Sequence, residues 1–467
     1  MNMVEDYTEK VIFSEKSSIS GNVTAPPSKS YSHRLIFLSL ISKKSIQISN
    51  LLYSNDVIYT IKACTRLGLQ ITKFDEDTIQ CNSPDEIISD EIIMDCGNSG
   101  TTIRFLIGLI LVISGKIILS GEFFERNRPI LPLVDALKNI GADYSLDENE
   151  LSIELLHIHN TKICIRGDIS SQFLSGLIFG IIALGLRPEI AHRKGVVMNQ
   201  FCIETITPIV SSPYIELTKE LLAQFGIHIR ITTFPDGRIA INFPDEAIQF
   251  FRFHYTIPGD YSSAAPLLIA GILFGGMNPT IIRNLPMDSP QADRVMIDIL
   301  KQMEMNLICE QSRVILHQSE TRGTITPIIK IDCRNNPDLF PMLCVLSAYR
   351  NQITILYGIN HVRYKETNRV IQMVRLLQEF GIQINHSKDQ MKINGKSEIQ
   401  LQSNHFITTV HDHRILMALC VFCLGVTYNG CTISLEHVER IKDSYPNFLI
   451  DLKLLGGNFT LQKNKKT

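Results

Sequence analysis

The chain has 467 residues, with 45 Lys and Arg against 47 Asp and Glu and a net charge of −2. No global field draws it to nucleic acid or an anionic membrane, so any anion site has to be built locally. The length exceeds what one core ordinarily spans and predicts two domains.

The longest apolar stretches, residues 103–119 and 173–186, are broken by Arg104, Lys116 or glycines, so no membrane span is expected. Glu5, Asp6, Glu9 and Lys10 at the start do not read as a secretory leader, and a cytoplasmic protein is expected. The 11 cysteines are an odd, scattered set. Cys420 and Cys423 are spaced as Cys-x-x-Cys but lie in the apolar run 415–424 without a second ligand pair. Core packing is expected there, with no metal.

The first strong signal is Pro26-Pro27-Ser28-Lys29-Ser30-Tyr31-Ser32-His33-Arg34, which runs straight into the apolar Leu35–Ile41. Two prolines hold the approach extended and Ser28 to Ser32 can cap, so a helix is predicted from about Ser30. Free N–H groups at its start favour an anion, whereas cations there oppose the helix dipole. That opposition makes sense beside a phosphate or carboxylate; a capped helix with solvated charges is the alternative. Lys29 lacks the glycine-rich turn and the Gly-Lys-Ser/Thr order of a Walker loop.

Further along, one pattern recurs at roughly 75-residue intervals. A helix ends at Gly68, Gly141, Gly226, Glu304, Gly381 or Gly456, and a short alternating strand follows, as at Leu69-Gln70-Ile71, Ile227-His228-Ile229 and Met305-Asn306-Leu307. Glu304 alone departs from glycine. Between these ends, apolar helices open on polar residues: 30–34, 98–104, 170–172, 260–263, 335–338 and 412–414. Those behind them, such as 173–182 and 264–274, are apolar nearly all round and are predicted to be interior helices covered by sheet. Six α/β units, three to a domain, would place the helix starts across a shared cleft suited to a multiply charged anion.

The motifs come in a fixed order. Lys29-Ser30 with Arg34 is followed by Asp95-Cys96-Gly97-Asn98-Ser99-Gly100-Thr101-Thr102-Ile103-Arg104, Arg128-Pro129, Ser170-Ser171-Gln172 and Ser211-Ser212-Pro213-Tyr214. Asp338, Arg363-Tyr364-Lys365-Glu366-Thr367-Asn368-Arg369 and Asp412-His413-Arg414 complete the series. From about Ser20 to Leu455 this set resembles the enolpyruvyl (carboxyvinyl) transferase family, and within it the branch that uses shikimate 3-phosphate.

The resemblance implies an α/β (α+β) fold of two inside-out α/β barrels with six βαβαββ repeats, three per domain, and the active site in the interdomain cleft. One domain would cover 28–256 and the other 1–27 plus 257–467. The implied reaction moves the enolpyruvyl group of phosphoenolpyruvate to the 5-hydroxyl of shikimate 3-phosphate and releases phosphate, a step toward chorismate and the aromatic amino acids. It needs an acid and a base among fixed cations.

The resemblance also assigns residues. Lys29 would touch both ligands and share in catalysis; Ser30 and Arg34 would hold shikimate 3-phosphate with Ser170, Ser171, Gln172, Ser211, Tyr214, Asp338 and Lys365. Gly100, Arg128, Arg369 and Arg414, with Lys29 and Gln172, would hold phosphoenolpyruvate. Asp338 would accept the 5-hydroxyl proton, and Glu366 would protonate the methylene carbon and later take that proton back. Enclosure would raise the proton affinity of Glu366 and nearby cations would lower it. Four residues of helix would bring Lys365 and Arg369 onto one face. His413 has a contact role. No cofactor, nucleic-acid or membrane partner is implied, and a monomer is expected.

The chain departs from the family pattern in places. Asp443, with Lys442 just before it, stands where a lysine is usual, Asn368 replaces an aspartate, and His33 replaces an asparagine. Residues 189–202 look long for the family and are expected to form a surface loop. The alternatives are a relative with another acceptor, such as a UDP-sugar, or a non-catalytic relative that binds shikimate phosphate.

Overall fold

The computed structural model describes residues 7–465 except 76, 88–90, 127, 245–247, 249, 319–327 and 409. The acidic start, Glu5 and Asp6, lies outside the described residues.

The recurring glycines end helices. Gly68, Gly141, Gly226, Gly381 and Gly456 have positive φ and follow helices Asn55–Arg66, Leu131–Lys138, Pro213–Gln224, Arg369–Glu379 and Phe448–Leu454. The next N–H reaches back to a last-turn carbonyl in each case: Leu69 to Cys64, Ala142 to Leu137, Ile227 to Leu222, Ile382 to Leu377 and Gly457 to Leu452. Glu304 does the same without being glycine. It sits at φ 55 after helix Val295–Gln302, and Met305 N–H bonds to Leu300 at 3.0 Å. Left-handed backbone costs a residue with a β-carbon about 1–2 kcal/mol. Burial of Leu300 and Met305, the apolar pair such a cap brings together, opposes that cost.

Some strands start later than the alternation suggests. Residues 227–229 are not strand, and pairing begins at Arg230–Thr233; likewise the strand after Glu304 is Leu307–Glu310.

Among the described residues the strands form six four-stranded sheets, all mixed. Each has an outer strand parallel to the second, then two antiparallel pairings. Ile92–Asp95 runs parallel to Lys116–Ser120, for example, which pairs antiparallel with Glu150–Glu154, and that in turn with Asp143–Leu146. The early strands join late ones: Tyr7–Phe13 lies between Ile433–Leu435 and Thr460–Lys465, and Ile19–Thr24 runs parallel to Gly275–Arg283.

The chain divides into two compact units, a central one, Pro27–Ile257, and a terminal one, Met1–Pro26 with Pro258–Thr467. Each has its own hydrophobic core. The apolar helices are interior as predicted. Ser171–Gly185 is buried along almost its whole length in the central unit, as are Tyr261–Phe274, Phe340–Ala348 and His413–Cys423 in the terminal unit. Cys420 and Cys423 are free, buried thiols in the last of these, and burial pushes both well above the usual thiol range. No helix among the described residues is long and apolar enough to cross a membrane.

The expectation of a surface loop at 189–202 needs correction. The segment contains helix Pro188–Arg193 and the 3-10 turn Met198–Gln200, and the Lys194 Nζ is buried against the carbonyls of Ile110 (3.1 Å), Ile113 (2.8 Å) and Leu155 (2.5 Å). Those carbonyls at and beyond the end of helix Gly100–Leu109 lack intrahelical partners, and an ammonium satisfies them.

Candidate active site

In the central unit, helix Lys29–Ile41 starts one residue earlier than expected. Ser28 is its N-cap in extended conformation, but the cap is made without its hydroxyl. The Ser28 carbonyl accepts from the Ser32 N–H at 3.0 Å and the Ser32 hydroxyl at 2.8 Å. Lys29 Nζ pairs with Asp56 Oδ2 at 2.8 Å. Arg34, one turn on, is buried and donates to Thr218 Oγ1 (2.8 Å), the Ser30 carbonyl (3.0 Å), Ser175 Oγ (3.3 Å) and the Tyr214 carbonyl (3.1 Å). Burial lowers its pKa to about 10, so it remains a cation at neutral pH. All its acceptors are uncharged.

Ser99 caps helix Gly100–Leu109 by accepting from the Thr102 N–H. Its hydroxyl begins a buried chain: Ser99 Oγ to Thr102 Oγ1 at 2.6 Å, Thr102 to Thr60 at 2.7 Å, and Thr60 to His33 Nδ1 at 2.7 Å. Glycine at position 100 answers to a crowd of side chains. A β-carbon there would lie 2.8 Å from Arg128 Nη2 and 3.1 Å from Arg104 Nη1. The two guanidinium groups are held beside each other by one ring, with Phe123 at 4.9 Å from Arg128 and 5.3 Å from Arg104. Arg128 Nη1 donates to the Asn98 carbonyl at 2.7 Å and Asn98 Oδ1 at 3.2 Å.

Arg104 reaches the Gln172 Oε1 and, at 2.9 Å, the Pro129 carbonyl, while Gln172 Nε2 donates to Thr101 Oγ1 at 2.9 Å. This meeting depends on close helix approach. Gly108 faces Gly176 and Gly180, and a β-carbon on any of the three would overlap a facing backbone carbonyl. Ser170 caps helix Ser171–Gly185 through the Gln172 N–H at 3.3 Å. Ser211 is buried at φ 56, a left-handed conformation uncommon for serine, and its hydroxyl has no hydrogen-bond partner among the described residues. Tyr214 lies in helix Pro213–Gln224, where its carbonyl serves Arg34. Ser30, Arg34, Ser175, Tyr214 and Thr218 thus form one group, and Gly100, Arg104, Arg128 and Gln172 a second, while Lys29 is described against Asp56.

In the terminal unit, Asp338 caps no helix. Phe340–Ala348 has Leu339 at its N-cap position, and the Asp338 carboxylate instead takes Arg369 Nη1 at 2.8 Å and Arg414 Nη2 at 3.5 Å. Burial alone would raise its proton affinity. The Arg369, Arg414 and Lys365 charges outweigh that and hold it well below the usual carboxylate range. Arg369 is the hub: Nη2 meets Glu366 Oε2 at 2.6 Å and Nε meets Asp412 Oδ2 at 2.8 Å. Asp412 also caps helix His413–Cys423 through the Arg414 and Ile415 N–H groups.

The shared helix face expected for Lys365 and Arg369 does not exist. Residues 360–364 form a 3-10 turn, Lys365 is extended beyond it, and the next helix begins at Arg369. Asn368 supplies that helix's cap, accepting from the Ile371 N–H at 3.2 Å, a task either Asn or Asp performs. His413 is buried at the start of its own helix. Asp443 is buried at the end of the 3-10 turn Val438–Asp443, and Lys442 is paired with Glu9 at 2.9 Å.

Sequence reasoning gave no role to Arg104, Asp412 or Asp293. The first two stand inside quoted motifs, and a polar residue in an otherwise apolar helix start was their available signal. Asp293 lies in a short 3-10 turn with no motif to mark it.

A family model described as EPSP synthase (3-phosphoshikimate 1-carboxyvinyltransferase) matches residues 13–452. A 3-phosphoshikimate 1-carboxyvinyltransferase from Korarchaeum cryptofilum is 32% identical over 450 residues, covering 94% of this chain and 97% of that one. A protein of the same name from Methanococcus maripaludis is 31% identical over 455 residues, covering 96% and 99%. Among solved structures, EPSP synthase from Acinetobacter baumannii superposes with a TM-score of 0.71 at 20% identity, covering 97% of this chain and all of that one. The enolpyruvyl transferase NikO from Streptomyces tendae superposes with a TM-score of 0.70 at 14% identity, covering 98% of this chain and 100% of that one.

Proposed function

The chain belongs to the EPSP synthase family, and on that premise we propose that it transfers the enolpyruvyl group of phosphoenolpyruvate to the 5-hydroxyl of shikimate 3-phosphate, releasing phosphate. The two units are read as the family's two lobes of three βαβαββ repeats each, acting as a monomer in the cytoplasm. The observation that carries the chemistry is the pair of carboxylates, Asp338 and Glu366, held by one buried guanidinium, Arg369, at 2.8 and 2.6 Å. Two carboxyl groups fixed this way suit a reaction that moves two protons.

Asp338 takes the proton of the 5-hydroxyl as its oxygen bonds to C2 of phosphoenolpyruvate, and Glu366 supplies a proton to C3. In the tetrahedral intermediate, C3 returns a proton to Glu366 while the C2–O bond to phosphate breaks. Phosphate then leaves with the proton held by Asp338. Ser30, Arg34, Ser170, Ser171, Gln172, Ser211, Tyr214 and Lys365 hold the shikimate ester. Gly100, Arg128, Gln172, Arg369 and Arg414 serve phosphoenolpyruvate, and Lys29 serves both.

Incubation with both substrates tests the reading through phosphate release that requires each of them; folded protein that releases none refutes it. Competition by UDP-N-acetylglucosamine, but not by shikimate 3-phosphate, would move the assignment to another acceptor. The buried Asp443, with Lys442 engaged by Glu9, favours a second reading, binding without turnover. In that case shikimate 3-phosphate binds, no phosphate appears, and Asp443→Lys restores release.

A further inference from the structure

The terminal-unit cluster holds more negative than positive charge. Asp260, Asp293, Asp338, Glu366 and Asp412 face Lys365, Arg369 and Arg414. His361, also buried there, is held neutral, since burial and then Lys365 lower its pKa to about 3. Buried charge left without a partner is costly, and a carboxylate in that position takes a proton instead.

The carboxylates differ in what holds them. Asp338, Glu366 and Asp412 are ion-paired to Arg369. Asp260 caps helix Tyr261–Phe274 through the Ser263 N–H at 3.1 Å. Asp293 is 1% exposed and is met only by neutral donors, the Ser262 hydroxyl and Asn336 Nδ2 at 3.4 Å. Among the described residues no Lys or Arg comes within ion-pair reach of it. Its own turn carries Arg294, which pairs with Asp298 at 3.5 Å. The charged groups facing it from packed elements are Asp260 at the start of Tyr261–Phe274, Asp338 from the loop before Phe340–Ala348, and Arg414 from His413–Cys423.

We propose that Asp293 is a positioning residue that holds one of the protons this cluster requires, and that it acts on the reaction through Asp338, whose grip on a proton tightens when Asp293 gives its own up. The electrostatics agree in direction. Burial first, then the Asp338 charge, push the Asp293 carboxyl up to about 7, against the pull of Ser262 and Arg414. Near neutral pH Asp293 is therefore the member of this coupled pair that exchanges a proton, while Asp338 stays ionised. Loss of the proton from Asp293 makes Asp338 a stronger acceptor and adds a negative charge beside Arg414, so turnover and phosphoenolpyruvate affinity respond to pH in opposite senses.

The test uses the whole chain with 13C-labelled aspartate, followed by NMR from pH 4 to 9 in the absence of substrate. One aspartate carboxyl titrates near neutrality. Its signal is missing in Asp293→Asn, moves down by about one pH unit or more in Asp338→Asn, and moves up in Ser262→Ala, which removes a donor to the charged form. No such carboxyl, or the same midpoint in Asp338→Asn, overturns the proposal. The effect on turnover rests on the transfer reaction proposed above and is read separately, as steps of opposite sense in the pH profiles of kcat and of phosphoenolpyruvate affinity that Asp293→Asn abolishes. A profile unchanged in that variant overturns the link to Asp338. Absence of turnover in the unaltered chain, with the NMR pattern present, refutes the transfer reaction and supports the proton-holding role.

Discussion

The two units treat the buried arginines of their candidate sites in opposite ways. In the central unit Arg34 is satisfied by two hydroxyls and two carbonyls, and the partners described for Arg104 and Arg128 are two side-chain amides, two carbonyls and the faces of Phe123 and Phe173. In the terminal unit Arg369 meets three carboxylates and Arg414 a fourth interaction with one of them. Neutral acceptors leave the charge of Arg34 uncancelled, which under the proposed function suits the central unit to an anion. Carboxylates cancel it and are themselves fixed in place, which under the proposed function suits the terminal unit to move protons as well as to bind.

The largest effect that sharpens this contrast is expected from Glu366→Gln, which lowers kcat by about 10²–10⁴-fold with little change in shikimate 3-phosphate affinity; a loss of affinity of the same size would break the contrast. Next, Arg369→Ala removes the cation that three carboxylates share. Denaturant unfolding should register a loss of about 3–5 kcal/mol, against about 1–3 kcal/mol for Arg34→Ala, which orphans only neutral groups. Equal losses would show that the acceptor type is irrelevant.

Gly100→Ala pushes on Arg128 and Arg104 rather than on backbone, so it should raise the KM for phosphoenolpyruvate by about tenfold with the fold retained, as circular dichroism would report.

The smallest effect concerns stability against pH. Asp293, raised to about 7 in the fold against about 3.9 in the unfolded chain, keeps a proton the unfolded state releases. Its contribution is complete below the unfolded value and is lost as pH rises through about 7. Asp338 has the opposite sign: its lowered pKa contributes above the ordinary carboxylate value and is lost as pH falls below it. Thermal unfolding of Asp293→Asn should therefore lack the decline between weakly acid and neutral pH, while its acid limb stays; an unchanged neutral decline would remove Asp293 from the account.

What the sequence discloses, and what it hides, follows from how local the physics is. The helix ends at Gly68 or Gly381 were legible because a left-handed cap depends on a few adjacent residues, and even Glu304 obeyed the same hydrogen-bond pattern. The interior helices were legible because burial all round leaves no polar face. The helix imagined through Lys365 and Arg369 was not, since charge spacing mimics a helical face in a stretch that is a 3-10 turn and an extended residue. Asp338 looks like a cap in sequence, and only long-range pairing with Arg369 and Arg414 gives it another task. The reason for Gly100 was likewise hidden, because Arg128 reaches it from 28 positions along the chain. Asp293 was invisible for the same cause: its partners Ser262 and Asn336 are remote in sequence.

The division of labour between neutral-capped and carboxylate-capped arginines is tested most directly by measuring shikimate 3-phosphate affinity and kcat together in Arg34→Ala and Asp338→Ala. The account predicts that Arg34→Ala mainly weakens binding, whereas Asp338→Ala binds within a few-fold of the unaltered chain and loses about 10²-fold or more in kcat. Equal losses of both quantities in both variants would contradict it.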